Sequence, residues 1–162
     1  MTQTDVSPRV LPRLVAFDLD DTLAPSKSAM PPAMATALRR LLDVVPVCII
    51  SGGQVGQFRD QVLAHLDADA DELSRLHLMP TCGTRYYTYD PSRAERDEDA
   101  WTLVYANDLT PEQIRTGFEI VEAQARRLGL WEEKTWGEIL EDRGSQITFS
   151  ALGQEAPLDA KR

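Results

Sequence analysis

The stretch RLVAFDLDDTLAPS, residues 13–26, carries Asp18, Asp20 and Asp21 directly after the apolar run Leu14 to Phe17. Side chains two apart on an extended chain point the same way, so Asp18 and Asp20 face one site while Leu19 faces the interior. Two carboxylates held this close repel, and the usual remedy is a hard cation with oxygen ligands, such as Mg²⁺. A cation there attracts phosphate. A metal-held phosphate beside a carboxylate suits in-line attack by Asp18, giving an aspartyl-phosphate and splitting a slow hydrolysis into two easier steps. Asp20, one step outward, is placed to protonate the leaving oxygen and then to deprotonate the attacking water. A second constellation follows the run VPVCII. Ser51, Gly52 and Gly53 offer a hydroxyl and two backbone amides at a helix N-terminus, which suits the oxygens of the transferring phosphoryl group.

Other conspicuous residues have plainer readings. Asp-rich segments after strands often serve as turn formers or N-caps, and Asp21 is read that way. Thr22 is expected to bond loop backbone and steady the site. His65 and His77 have no partner at ligand spacing and are read as surface or core filling. The pairs Arg39-Arg40 and Arg126-Arg127 are solvated helix faces. Cys48 lies inside VCII and Cys82 beside a glycine, with no CxxC or Cys/His spacing. Both are therefore plain thiols, and neither a disulfide framework nor a zinc site is expected.

The elements that must hold these residues follow from the hydrophobic pattern. Residues 13–17 form a continuous apolar stretch, the mark of a strand buried on both faces of a parallel sheet. Pro31 and Pro32 suit a first helical turn, and Met34, Leu38, Leu41 and Leu42 recur at helical spacing up to Asp43. VPVCII, residues 45–50, is a second strand with Pro46 at its start. Val55, Phe58, Val62 and Leu66 mark a second helix, and LHLMP, residues 76–80, a third strand. The order βαβαβ implies parallel strands with right-handed crossovers, hence a Rossmann-like, doubly wound α/β sheet. In such a sheet ligands bind beyond the carboxyl ends of the strands, where Asp18 and Ser51 both fall.

From Cys82 the texture changes. TRYYTYD alternates, WTLVYA is a strand candidate, and Thr110 to Gln113 is a capping box opening a helix through Ile114, Phe118, Val121, Ala125 and Leu128, stopped by Gly129. A hairpin, GEILED-RG-SQITFSAL, turns near Arg143-Gly144. The expected division is residues 1–81 as the N-terminal part of the α/β core and 82–162 as an α+β cap insert.

The bulk numbers narrow the function classes. The 162 residues, 43% of them hydrophobic, suffice for one ordinary domain, or for a compact core plus a small insert. A net charge of −9 argues against a phosphate-backbone partner such as DNA or RNA, which needs a clustered basic surface. No apolar run approaches the roughly 20 residues that cross a bilayer, and MTQTDVSPRV lacks the basic-then-apolar layout of a signal peptide. A soluble, cytoplasmic protein acting on a small phosphorylated molecule, without nucleic acid or membrane partners, is the expectation.

FDLDDTL followed by IISGG resembles the haloacid dehalogenase (HAD) superfamily of phosphotransferases, specifically its capped subfamily IIB and the phosphomannomutase-like branch. The likeness covers essentially the whole chain, and the hairpin EDRGSQITFSALGQ is similar to a phosphomannomutase segment. It implies Asp18 as nucleophile and metal ligand, Asp20 as acid/base and metal ligand through its backbone, Ser51 as the phosphate-binding hydroxyl, and Arg143 as a substrate-contacting arginine. Mg²⁺ is the implied cofactor and a phosphosugar the implied substrate class.

Two departures shape the expectation. Phosphomannomutases of this branch follow the cap strand with glycine and then an arginine that grips phosphate, whereas Gly153 is followed here by Gln154. A neutral amide grips a dianion more weakly than a guanidinium fork, which favours hydrolysis over mutase chemistry. The family also uses a lysine and a pair of acids from chain after the cap. Lys27 is the lysine nearest the first motif, while Lys134 and Lys161 belong to the insert, and no GDxxxD-like run follows. The chain is therefore expected to lack the C-terminal part of the family core, to leave RLVAF as a bare apolar edge, and to turn over slowly or not at all. A phosphatase leads, with a phosphosugar mutase or a non-catalytic phosphosugar-binding module as alternatives. A signalling receiver domain wants a phosphoacceptor aspartate at the end of a middle strand, and VCIISGG and LHLMPTCG offer none.

Overall fold

The apolar runs expected as parallel strands do lie side by side. In the computed structural model, which describes residues 12–96, 99–157 and 159–160, β1 (Val15–Phe17), β2 (Val47–Ile50) and β3 (Leu76–Met79) pair in that order, all parallel. Register sets Val15 against Val47 and Phe17 against Ile49, so the carboxyl ends of β1 and β2 open at one rim. β4 (Arg85–Tyr89) joins β3 antiparallel, and β5 (Trp101–Ala106) joins β4 antiparallel. The result is a mixed five-stranded sheet ordered β1-β2-β3-β4-β5, an α/β, Rossmann-like fold. The change of texture at residue 82 is thus the point where pairing switches from parallel to antiparallel within one sheet.

The helices bury their apolar stripes on one face. α1 (Pro32–Leu42) begins with Pro32 in its first turn, closes with Arg39 and Arg40 at the dipole's negative end, and turns Ala35, Leu38 and Leu42 inward. The second helix runs as α2 (Val55–Phe58), a π-helical turn (Arg59–Leu63) and α3 (Ala64–Leu66). Its Phe58, Val62 and Leu66 meet Val47, Ile49, Leu76 and Leu78, all at most 1% exposed. Burying such side chains contributes about 1.5–3 kcal/mol each. α4 (Ala70–Ser74) is an element the hydrophobic pattern does not announce. Asp69 and Glu72 cap it reciprocally, and the buried Glu72 also receives Arg39 Nε at 3.0 Å, tying α4 to α1.

The opposite face of the sheet carries Cys48, His77, Met79 and Tyr86 around a hollow that Leu14 and Tyr105 also line. Burial pushes the Cys48 thiol above its ordinary value and the His77 imidazole below its own, while the Tyr86 hydroxyl lies 2.8 Å from His77 Nδ1. The expectation that residues 13–17 are buried on both faces is corrected here. Among the described residues β1 pairs with β2 alone, Ala16 is exposed, and Leu14 keeps 46% of its surface in solvent, the bare apolar edge that the family resemblance implied. An unbroken apolar run records hydrophobicity, and coverage depends on what packs against it.

After α5 (Pro91–Ala94) and β5, the Thr110 capping box opens α6 (Pro111–Arg127) as expected, and left-handed Gly129 follows its end. The hairpin is β6 (Leu140–Asp142) and β7 (Ile147–Phe149), a separate two-stranded sheet. No described helix is long and apolar enough to cross a membrane.

Candidate active site

Leu19, with no exposed surface, anchors the loop after β1. Its carbonyl accepts the amides of Thr22, Leu23 and Ala24 at 3.3, 3.0 and 3.1 Å, which folds the aspartate segment into a tight turn. Asp21 sits in the left-handed region (φ 58°) and its Oδ1 accepts the Ser26 amide, the turn role read from sequence. Thr22 acts through its amide, and its side chain is exposed rather than bonded to loop backbone. Asp18 stands exposed at the end of β1, with Oδ1 accepting the Leu19 amide at 2.8 Å. Among the described residues its Oδ2 receives no donor, which leaves lone pairs for chemistry. Asp20 is half-buried, Oδ1 held by the Lys27 amide at 3.1 Å and Oδ2 by Gln57 Nε2 at 2.9 Å.

Ser51, 7% exposed, follows β2 at the same rim. The three carbonyls of Ser51, Gly52 and Gly53 are each held from outside the loop. Cys82 N donates to Ser51 O at 2.9 Å, Arg143 Nη1 to Gly52 O at 2.8 Å, and Thr81 N to Gly53 O at 2.9 Å. Among the described residues neither Gly52 N nor Gly53 N gives its proton to a backbone acceptor. Their donors stay available to an anion. Thr81 and Cys82 make this possible from left-handed conformations (φ 50° and 57°), rare for a β-branched residue and strained. Thr81 is 1% exposed, and its hydroxyl joins those of Thr84 and Ser145, which fixes the β6–β7 turn against the base of the loop. Sequence reading missed this strained turn, since neither threonine nor cysteine signals positive φ.

A cleft of about 470 Å³ opens beside these loops, lined by Lys27, Gln54, Gly56, Gln57, Asp60, Gln61, Glu141, Arg143 and Gln154. Arg143, the arginine that the resemblance assigns to substrate, lines it, and its guanidinium is already engaged. Nε and Nη2 reach Glu141 Oε2 at 2.9 and 2.7 Å while Nη1 takes Gly52 O, and Glu141 Oε1 accepts Gln54 Nε2. Arg143 thus latches the hairpin to the Ser51 loop. Lys27 spans the cleft mouth, its Nζ 3.0 Å from Gln154 O. Lys134 is exposed and does not line the cleft, and Lys161 lies outside the described residues.

The donor set can be weighed against Mg²⁺ from these contacts. Among the described residues no group of three His, Cys, Asp or Glu side chains converges as a closed cage. Asp18 supplies a carboxylate oxygen and Asp20, through its backbone as the resemblance implies, a carbonyl oxygen at one turn, and Mg²⁺ usually takes only one or two carboxylates, completing its octahedron with water and substrate phosphate. The residues fit a cation shared with a phosphate.

No family model matches the chain, and no curated protein matches it in sequence. Solved structures do share its fold. The IMP-nucleotidase of Plasmodium falciparum superposes with a TM-score of 0.57 at 13% identity over 83% of this chain and 38% of that one. Its ATP-bound form gives 0.58 at 13% identity, over 83% and 34%. An N-terminally truncated, IMP-bound form gives 0.56 at 12% identity, over 91% and 42%. The likeness is one of fold, and this chain spans well under half the length of each of those proteins.

Proposed function

We propose that this chain carries the catalytic loops of a Mg²⁺-dependent phosphatase of HAD type, hydrolysing a small phosphorylated metabolite through an aspartyl-phosphate. The observation that carries the proposal is the rim shared by β1 and β2. Exposed Asp18, with an undonated Oδ2, leaves one strand, and the Ser51 loop with its undonated amides leaves the next in register. In the proposed reaction Asp18 Oδ2 attacks phosphorus in line as the bond to the leaving oxygen breaks, and Asp20 gives that oxygen its proton. Asp20 then takes a proton from water as the water attacks phosphorus and frees the Asp18 carboxylate. The Ser51 hydroxyl and the amides of Gly52 and Gly53 hold the equatorial oxygens. The Asp18 carboxylate and the Asp20 backbone carbonyl would hold Mg²⁺, which would supply positive charge to neutralise the phosphate.

The cleft supports a hydroxyl-rich substrate of the phosphosugar class. Besides Gln57, which is committed to Asp20, and Arg143, which is committed to Glu141 and the Ser51 loop, the amides of Gln54, Gln61 and Gln154, two carboxylates and Lys27 line it, a donor and acceptor mix that a polyol satisfies, with no aromatic face among the lining residues on which a base would stack. The test is Mg²⁺-dependent release of phosphate from p-nitrophenyl phosphate, with beryllium fluoride trapping alongside, for this chain and for Asp18→Asn. Turnover should fall about 10³-fold or more in the variant. Trapping indifferent to residue 18 would overturn the assignment, and trapping without turnover would leave a phosphate-binding module in its place.

A further inference from the structure

We propose that Gln57 is the positioning residue for the Asp20 carboxylate and that Gly53 is glycine in order to seat it. The inference rests on the phosphatase reading above for the role of Asp20, though the geometry is independent of it. Asp20 is held from two sides, by a backbone amide at Oδ1 and by the Gln57 side-chain amide at Oδ2, 2.9 Å away. The first contact comes from Lys27 in its own loop and the second from a different element, 37 positions along the chain. Two donors on opposite oxygens fix the plane of a carboxylate, where one would leave it free to turn. An acid/base group gains most from such fixing, because a misplacement of about 1 Å costs as much as 10²-fold in rate.

Gln57 projects from a well-buried stretch. The next residue, Phe58, has no exposed surface, and the π-helical turn that follows sets Gln61, 5% exposed, beside it, with the Gln61 side-chain oxygen facing the Lys27 and Ser28 amides at 2.8 Å. Extra-residue helical turns of this kind often accompany functional sites, since they re-aim the side chains around them. The seat below is bare backbone. A Cβ on Gly53 would lie 2.0 Å from Gln57 Oε1 and 2.6 Å from Cδ, so a larger residue makes the Gln57 amide shift, the same amide whose Nε2 reaches Asp20 Oδ2. The two glycines after Ser51 therefore have separate duties. Gly52 has only ordinary contact at its Cβ position, from Cys82 Sγ at 3.8 Å, whereas Gly53 makes room for Gln57 and so couples the phosphate-binding loop to the aspartate turn.

The experiment compares substrates with leaving groups of different basicity. Departure of an alkoxide needs a proton in the transition state, and departure of p-nitrophenolate hardly does. Gln57→Leu should lower kcat on an alkyl phosphate about 10- to 100-fold, leave KM within about 3-fold, and change p-nitrophenyl phosphate turnover less than about 3-fold. Gly53→Ala should add the same leaving-group bias, and Gln57→Leu should lose its effect in an Asp20→Asn background. Equal losses on both substrates, or full additivity with Asp20→Asn, would overturn the proposal. A readout without turnover separates this from failure of the phosphatase reading. The Gln57 side-chain amide protons, followed by NMR, should move in Asp20→Ala and in Gly53→Ala, and resonances unmoved by either change would sink the assignment whatever the chain catalyses.

Discussion

Replacing Gly153 with alanine should destabilise the chain by about 2–3 kcal/mol, and the structure divides that figure into parts. Gly153 adopts φ +87°, where an L residue incurs about 1–2 kcal/mol. Its missing Cβ would fall 2.2 Å from Trp136 O, 2.6 Å from Trp136 C and 2.8 Å from Gly137 O, all backbone atoms that cannot rotate away. Segment 136–137 must then shift against segment 152–155, straining the bonds Trp136 N to Leu152 O (2.9 Å) and Glu155 N to Trp136 O (2.8 Å). Losing one of them is worth about 1 kcal/mol. Gly129→Ala is the control, since Gly129 has φ +69° but nothing within 4 Å of its Cβ position, so it should show the backbone part alone, about 1 kcal/mol. The assay is urea unfolding followed by tryptophan fluorescence, with m unchanged across the series. Equal losses for the two variants, or a loss at Gly153 below about 0.5 kcal/mol, would refute the steric argument. A real shift would also reach the cleft, because Gln154 O is the acceptor for Lys27 Nζ.

Two further outcomes are expected. Burial lowers the His77 pKa from its ordinary 6.5, so the unfolded chain takes up the proton first as pH falls. Stability should therefore be full above about pH 6.5, decline as pH drops toward the folded value, and lose that part of its pH dependence in His77→Gln, with a slope unchanged by the variant counting against the burial argument. Arg143→Ala should cost about 1–2 kcal/mol by freeing Gly52 O and Glu141 together, Arg143→Lys should restore less than half, and a double-mutant cycle with Glu141→Gln should return a coupling of at least about 0.5 kcal/mol. Zero coupling would dissolve the latch between hairpin and Ser51 loop.

Local signals in the sequence proved legible where one stretch of chain decides the outcome. The Thr110 to Gln113 box opens α6, the Arg143-Gly144 turn joins β6 to β7, and Asp21 takes the turn role expected of it, from a left-handed conformation. The same four-residue signature at Asp69 to Glu72 went unread, because α4 is short and carries little apolar periodicity to draw attention to it. Features set by tertiary contact were out of reach of the local pattern. The apolar run RLVAF by itself reads as covered, and the exposed Ala16 at the sheet edge is expected only through the family resemblance, which supplies flanking strands from chain beyond the cap. Gln57 reads as one more polar helix position until the parallel pairing of β1 and β2 brings its amide over Asp20.

Thr81 and Cys82 show how far such contact can override local preference. Two adjacent non-glycine residues at positive φ cost of order 1–3 kcal/mol each, a large share of a stability usually between about 5 and 15 kcal/mol. The surroundings hold them there. Thr81 is buried with its hydroxyl between Thr84 and Ser145, and the two strained amides end on Gly53 O and Ser51 O. With its carbonyls held in this way, the loop keeps the Gly52 and Gly53 N–H groups turned from backbone partners before any anion arrives. Conformational strain stored at the end of β3 thus becomes preorganisation at the end of β2, and on the proposed function it lowers the reorganisation that an incoming phosphoryl group would have to impose.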